Sequence, residues 1–278
     1  MRNYKKFVTL ALVCSAMNLS SSDQSNKSTQ LIKVTEGMRA NYNYLKDIGP
    51  SIANFGEPQD EKIYTRALQH QIETELLQLQ MDLGKGYSEM RRTQFITLQL
   101  YYRIVDAGIK TLEYEMIRLT KLSNNRTKTN THFYLKLGFR EIAVAKMKIL
   151  LAKNKHPQLY LLKLQDASYA LQSLKQCEKY IIRLGLLHDG SYESEEDELE
   201  SFEALKLEIQ RVIPNDTDRY LRYHYDSYFT VYDRRDIFYE VWNDPKLEEL
   251  AIPLEGVDEA YIRKESYPDI PRQVSNSN

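Results

Sequence analysis

The chain has 278 residues, 42% of them hydrophobic and 28% charged, with a formal net charge of −1. That is enough apolar material for one large helical domain or two small ones, and it excludes a globally disordered chain. Only 10 Gly and 8 Pro are present, few breakers for this length, which argues against a β-sandwich or a Gly-rich α/β fold and for long helices.

The first residues read as a signal peptide over 1–16. Arg2, Lys5 and Lys6 form a positive start, Phe7 to Val13 an apolar run, and Cys14-Ser15-Ala16 a small-x-small cleavage site. The apolar run is far shorter than the ~20 residues needed to cross a bilayer, and no transmembrane helix is expected in the mature protein. Cys14 is the alternative lipidation site, and the alternative reading is then a surface lipoprotein or adhesin. Cleavage after Ala16 leaves Cys177 as the single cysteine, so no intramolecular disulfide forms, and the reading is of the periplasm or cell envelope.

Residues 17–58 are expected to form a polar linker over 18–30 and a short helix from Leu31 to Leu45, broken at Gly49-Pro50 and Gly56-Glu57-Pro58. A bundle of long antiparallel helices then covers 59–244. Leu68, Ile72, Leu76, Leu79 and Leu83 predict one helix face over 61–83, with Gly84 and Gly86 at its end. Leu98, Tyr101, Val105, Ile109, Leu112, Met116 and Leu119 predict a second over 88–122. Leu135, Ile142 and Ile149 mark a third over 133–153, and Tyr160, Leu164, Ala167, Leu171, Leu174 and Ile181 a fourth that starts at Pro157. A fifth helix is expected from Ser194 to near Pro214, and a sixth from Asn215 or Asp216 to Trp242. Residues 245–278, punctuated by Pro253, Pro268 and Pro271, read as a short helix and an extended tail. The predicted fold class is all-α.

Charge is divided along this frame. Residues 121–183 carry 13 Lys/Arg and 3 Asp/Glu, net +10, whereas residues 184–278 carry 10 and 23, net −13. The two regions can pair within one molecule or head to tail between molecules. For an exported protein, the basic segment suits an envelope surface or an acidic protein partner, and no nucleic acid is expected.

No chemistry is signalled. The five histidines lack metal-ligand spacing, Gly-x-Ser-x-Gly and phosphate-binding loops are absent, and Cys177 falls on an apolar stripe between Leu174 and Ile181. The expectation is a non-enzyme without cofactor or metal. The best candidate site is a run of nine aromatics over 220–242 interleaved with arginines; Tyr225, Tyr228, Tyr232, Arg234, Arg235, Tyr239 and Trp242 have the composition of a protein-binding surface.

Two resemblances follow. Leu83-Gly84 with Tyr87 resembles part of a tetratricopeptide motif, echoed by Leu137-Gly138 and Leu184-Gly185 at intervals of 54 and 47 residues, against roughly 34 in that repeat. On its signal peptide, its helices 61–83 and 88–122, its lack of a disulfide and its Tyr-rich C-terminal third, the mature chain is similar to the spirochaete periplasmic flagellar coiling or sheath proteins. That resemblance implies a non-enzymatic protein that coats and shapes a flagellar filament, and it assigns no functional residue.

Overall fold

A computed structural model describes residues 4–123, 129–188, 228–229 and 236–254. Among the described residues there is no strand. The helices are α1 (Tyr4–Phe55), α2 (Pro58–Leu79), α3 (Leu83–Ser123), α4 (Thr129–Asn154), α5 (Tyr160–His188) and α6 (Ile237–Asn243), followed by a 3₁₀ turn over Leu247–Ala251. The protein is all-α, as the sequence predicts.

The arrangement is built on α3, whose 41 residues make a rod about 60 Å long. It touches α1, α2, α4 and α5. Short connections pair α2 with α3 and α4 with α5, as expected for antiparallel neighbours.

Local chemistry sets the boundaries. Pro58 opens α2, where its missing N–H costs nothing, and the backbone N–H of Glu57 donates to Asp60 Oδ2 at 2.9 Å. The helix ends at Leu79 and not at Gly84-Gly86. Asp82 N–H reaches Leu77 O at 2.9 Å and Met81 N–H reaches Gln78 O at 3.0 Å, the two bonds of a Schellman motif. Met81 takes the left-handed position, with φ of 60°. Asp82 then accepts from the N–H of Lys85 at 3.3 Å and starts α3. Pro157 lies in the turn before α5 and does not begin the helix, which starts at Tyr160.

The N-terminal region departs from expectation. The linker and short helix assigned to 17–58 are one helix that runs through Gly49 and Pro50. Proline removes a single i→i−4 bond. Burial of Leu45, Ile48 and Ile52 beside it more than offsets that loss, at about 1.5–3 kcal/mol per large apolar side chain.

Four stripes were legible in the sequence, and three are core. All seven stripe residues of α3 are buried, as are Leu135, Ile142 and Ile149 of α4 and all six of α5. Cys177 is buried with them, and burial raises its thiol pKa far above the usual range, so it is an inert core residue. The α2 stripe is displaced: Leu68 is buried, but Leu76 is exposed and Leu79 is 81% exposed. The buried side of α2 runs instead through Ile63, Tyr64, Ala67, Gln71, Thr74 and Leu77. Polar members of that side donate to backbone: Gln71 Nε2 to Met38 O at 3.3 Å, and Thr74 Oγ1 to His70 O at 2.7 Å.

Two substitutions test this geometry. An L-residue in the left-handed region costs about 1–2 kcal/mol, and Met81 is exposed. Met81→Gly therefore raises the urea-unfolding free energy by roughly 0.5–1 kcal/mol after the entropy cost of glycine. At Gly108 a Cβ would lie 2.6 Å from Tyr228 Oη and 2.8 Å from Leu174 Cδ1. Gly108→Ala lowers stability by about 1–3 kcal/mol in the same assay.

Candidate functional site

Of the expected contact residues, Tyr228, Tyr239 and Trp242 lie where described C-terminal residues pack on the bundle. Tyr225, Tyr232, Arg234 and Arg235 fall outside the described residues, as does the predicted fifth helix. The predicted sixth helix is not continuous to Trp242, because Tyr228 and Phe229 sit in a turn and α6 begins at Ile237. Asp236 enforces that start: its Oδ1 accepts from the N–H of Phe238 at 3.1 Å and of Tyr239 at 3.3 Å, which is N-capping chemistry.

Tyr228 is a core residue rather than an exposed contact. It is 2% exposed, its ring lies 4.8 Å from that of Phe55, and its backbone oxygen accepts from Ser51 Oγ at 2.6 Å. Its hydroxyl comes against Gly108, where α3 lacks a side chain. Lys175 Nζ sits 5.0 Å from the ring centroid of Phe229.

The second anchor is an aromatic cluster between α1 and α6. Phe238 is buried. It stacks on Trp242 at 5.2 Å and 12° and meets Tyr42 edge-on at 5.3 Å. Tyr42 also meets Trp242 edge-on at 5.3 Å. Such pairs add about 0.5–1.5 kcal/mol each beyond area burial. Gly49 makes room beneath, since a Cβ there would lie 2.8 Å from Tyr64 Oη and 3.9 Å from Phe238 Cβ. Tyr64 in turn donates to Leu45 O at 2.9 Å, and its burial raises its phenol pKa well above the usual value.

Polar side chains of α2 hold the following turn. Gln69 Nε2 donates to Pro245 O at 2.9 Å, Lys246 O at 3.2 Å and Glu249 Oε2 at 3.1 Å, and Arg66 Nη2 donates to Ile252 O at 2.8 Å. Residues 236–254 thus form a strap across α1 and α2, although the sequence suggested that the bundle ends at 244. Arg66 and Gln69 escaped the sequence reading. They stand among several other polar residues of α2, so nothing local sets them apart.

The strap presents a mixed face to solvent. Tyr239 is 44% exposed with Lys46 Nζ 6.0 Å from its ring centroid, and Trp242 is half-buried. Asp236, Glu240, Asp244 and Glu248 are exposed around them. An open groove of about 270 Å³ runs between α2 and the strap, lined by Thr65, Gln69, Glu240, Asp244, Lys246 and Glu249 among others. This face is shallow, acidic and aromatic. Among the described residues no cluster of three His, Cys, Asp or Glu side chains converges on a metal-sized site, and no helix is long and apolar enough to cross a membrane.

Residues 28–256 match the family described as surface protein adhesin OmpL37. The chain belongs to this adhesin family. No curated protein and no solved structure matches it. The family match spans bundle and strap alike. It favours the surface adhesin alternative drawn from the sequence over the flagellar coat, for which the family offers no counterpart.

Trp242 is the chain's one tryptophan, so its fluorescence reports strap docking. Arg66→Ala combined with Gln69→Ala shifts its emission to the red and lowers stability by about 2 kcal/mol, with far-ultraviolet circular dichroism nearly unchanged. Unaltered emission would remove these residues from strap anchoring.

Proposed function

We propose that this chain is an exported protein of the cell envelope that acts at the surface as an adhesin, binding a protein ligand by non-covalent contacts. Membership of the surface adhesin family carries the reading, and the strap face supplies a surface of suitable chemistry. Tyr239, the open edge of Trp242 and the acids Glu240, Asp244 and Glu248 combine a rigid aromatic anchor with a charged rim. Their sign selects a ligand with basic groups. Tyr225, Tyr232, Arg234 and Arg235 join this surface in the proposal as neighbours in sequence.

Export is proposed to proceed through the signal peptide at residues 1–16, with Cys14 as the acylation site if the mature protein is a lipoprotein. Mass spectrometry of the mature N-terminus separates cleavage after Ala16 from a diacylated Cys14.

The adhesin reading is tested with antibody on intact cells and with the purified protein on fixed host-cell layers. The wild type is expected at the cell surface and bound to the layer. Tyr239→Ala lowers that binding roughly tenfold, as for an aromatic hot spot, with circular dichroism unchanged because Tyr239 is not in the core. Tyr239 is the informative position, whereas truncating Trp242 also removes packing from Phe238 and Tyr42. Surface exposure with no loss of binding would move the contact site elsewhere; absence from the surface would overturn the adhesin role.

A further inference from the structure

Helix α4 is apolar on two opposite faces. Its inner face, through Leu135, Ile142, Ala145, Ile149 and Ala152, is buried against the bundle. On the outer side, Phe133 is 58% exposed, Met147 51%, Leu150 60% and Leu151 45%, and Phe139 is exposed beside them. These residues fall on the opposite half of the helical wheel, as a ridge about 27 Å long at 1.5 Å per residue. A helix that is apolar all round is ordinarily covered on every side, and exposed patches of this extent mark interaction sites.

Charge identifies the cover. Residues Thr129–Asn154 contain Lys136, Arg140, Lys146, Lys148 and Lys153 against one acid, Glu141. Glu141 is withdrawn from the ridge: its side chain is 13% exposed and is held by Arg140 at 2.7 Å. Lys136 and Arg140 stand exposed within the ridge. Lys146 and Lys153 flank it, bridged to Glu113 at 2.8 Å and Asp106 at 2.9 Å. Those bridges are solvent-exposed, where an ion pair is weak and exchanges readily for another anion. Like charges on two facing copies of α4 oppose self-pairing.

We propose that the outer face of α4 docks on an anionic phospholipid surface, with the large apolar side chains entering the headgroup boundary and Lys136 and Arg140 facing phosphates. The chain then lies on a membrane without a spanning helix, leaving the strap on α1 and α2 to meet its ligand. This inference is independent of which ligand the strap takes.

The test is cosedimentation of the full chain with vesicles of phosphatidylglycerol and phosphatidylcholine in equal parts, against vesicles of phosphatidylcholine alone. Binding is expected to the anionic vesicles, to weaken with added salt, and to fall tenfold or more in a Met147→Gln, Leu150→Gln, Leu151→Gln variant. The core-facing Ile142 and Ile149 are untouched there, so helicity stays at the wild-type level. Lys136→Gln, which keeps the apolar ridge, loses about fivefold. Both variants retain residues 1–30, so undiminished vesicle binding in them would come from elsewhere and would overturn the proposal. Absence of binding to anionic vesicles overturns it as well. A wild-type dimer in sedimentation velocity that the triple variant abolishes, without vesicle binding, would assign the ridge to a second copy instead.

Discussion

The structure depends on the burial of α3. Between Thr93 and Ile109 nearly every position is buried or half-buried, and Gln99, Arg103 and Ala107 form the one exposed line. A helix enclosed to that degree requires neighbours on several sides at once. Two antiparallel hairpins and α1 supply most of them, and Tyr228 closes another gap over Gly108. Exposed Arg103 on the open line is not idle, since it pairs with the N-terminal turn of α2 through Asp60. The same enclosure explains why Thr93, Gln94 and Thr97 are buried: with one narrow line open, the helix cannot turn all its polar positions to water.

Burial also determines which aromatics remain free for contacts. Phe238 and Tyr228 are committed to packing, and Trp242 is committed in part. What stays outward on the strap is Tyr239 with a rim of acids. The uneven charge along the chain resolves similarly on the described elements. Lys146, Lys148 and Lys153 of α4 and Lys155 of the turn that follows pair with Asp106 and Glu113 of α3 and with Asp166 of α5. Part of the basic excess is therefore neutralised inside one molecule, by acids that lie in neither of the two charged blocks read from the sequence, apart from Asp166. Pairing between the basic block and the acidic C-terminal third, within or between molecules, remains a proposal beside this.

Legibility followed the symmetry of each helix's surroundings. The stripes of α4 and α5 were readable on their core sides, and that of α3 was readable because its apolar positions are regularly spaced. For α2 the apolar spacing pointed toward Leu76 and Leu79, yet these face solvent near the exposed Met81. The strap covers the middle of α2 from a direction that local spacing does not encode, and it recruits Arg66 and Gln69. In the candidate site, residue types were legible and their division between core and surface was not. Tyr228 and Tyr239 have the same chemistry and opposite fates, set by Gly108 and Ser51 in one case and open solvent in the other.

Local pattern was enough for the all-α class, the cores of α3, α4 and α5, the inertness of Cys177 and the concentration of aromatics near the C-terminus. Each of these follows from local periodicity or from the chemistry of a residue type. Packing between distant segments set the rest: Pro50 lies within a helix, α2 buries Gln69 and Gln71 while Leu76 and Leu79 face solvent, residues 236–254 strap the bundle, and the outer ridge of α4 stays exposed. Those outcomes depend on contacts between segments as much as 186 residues apart, such as Arg66 with Ile252. The stability of a distant contact depends on which surfaces the rest of the fold brings opposite each other, and no local pattern records that.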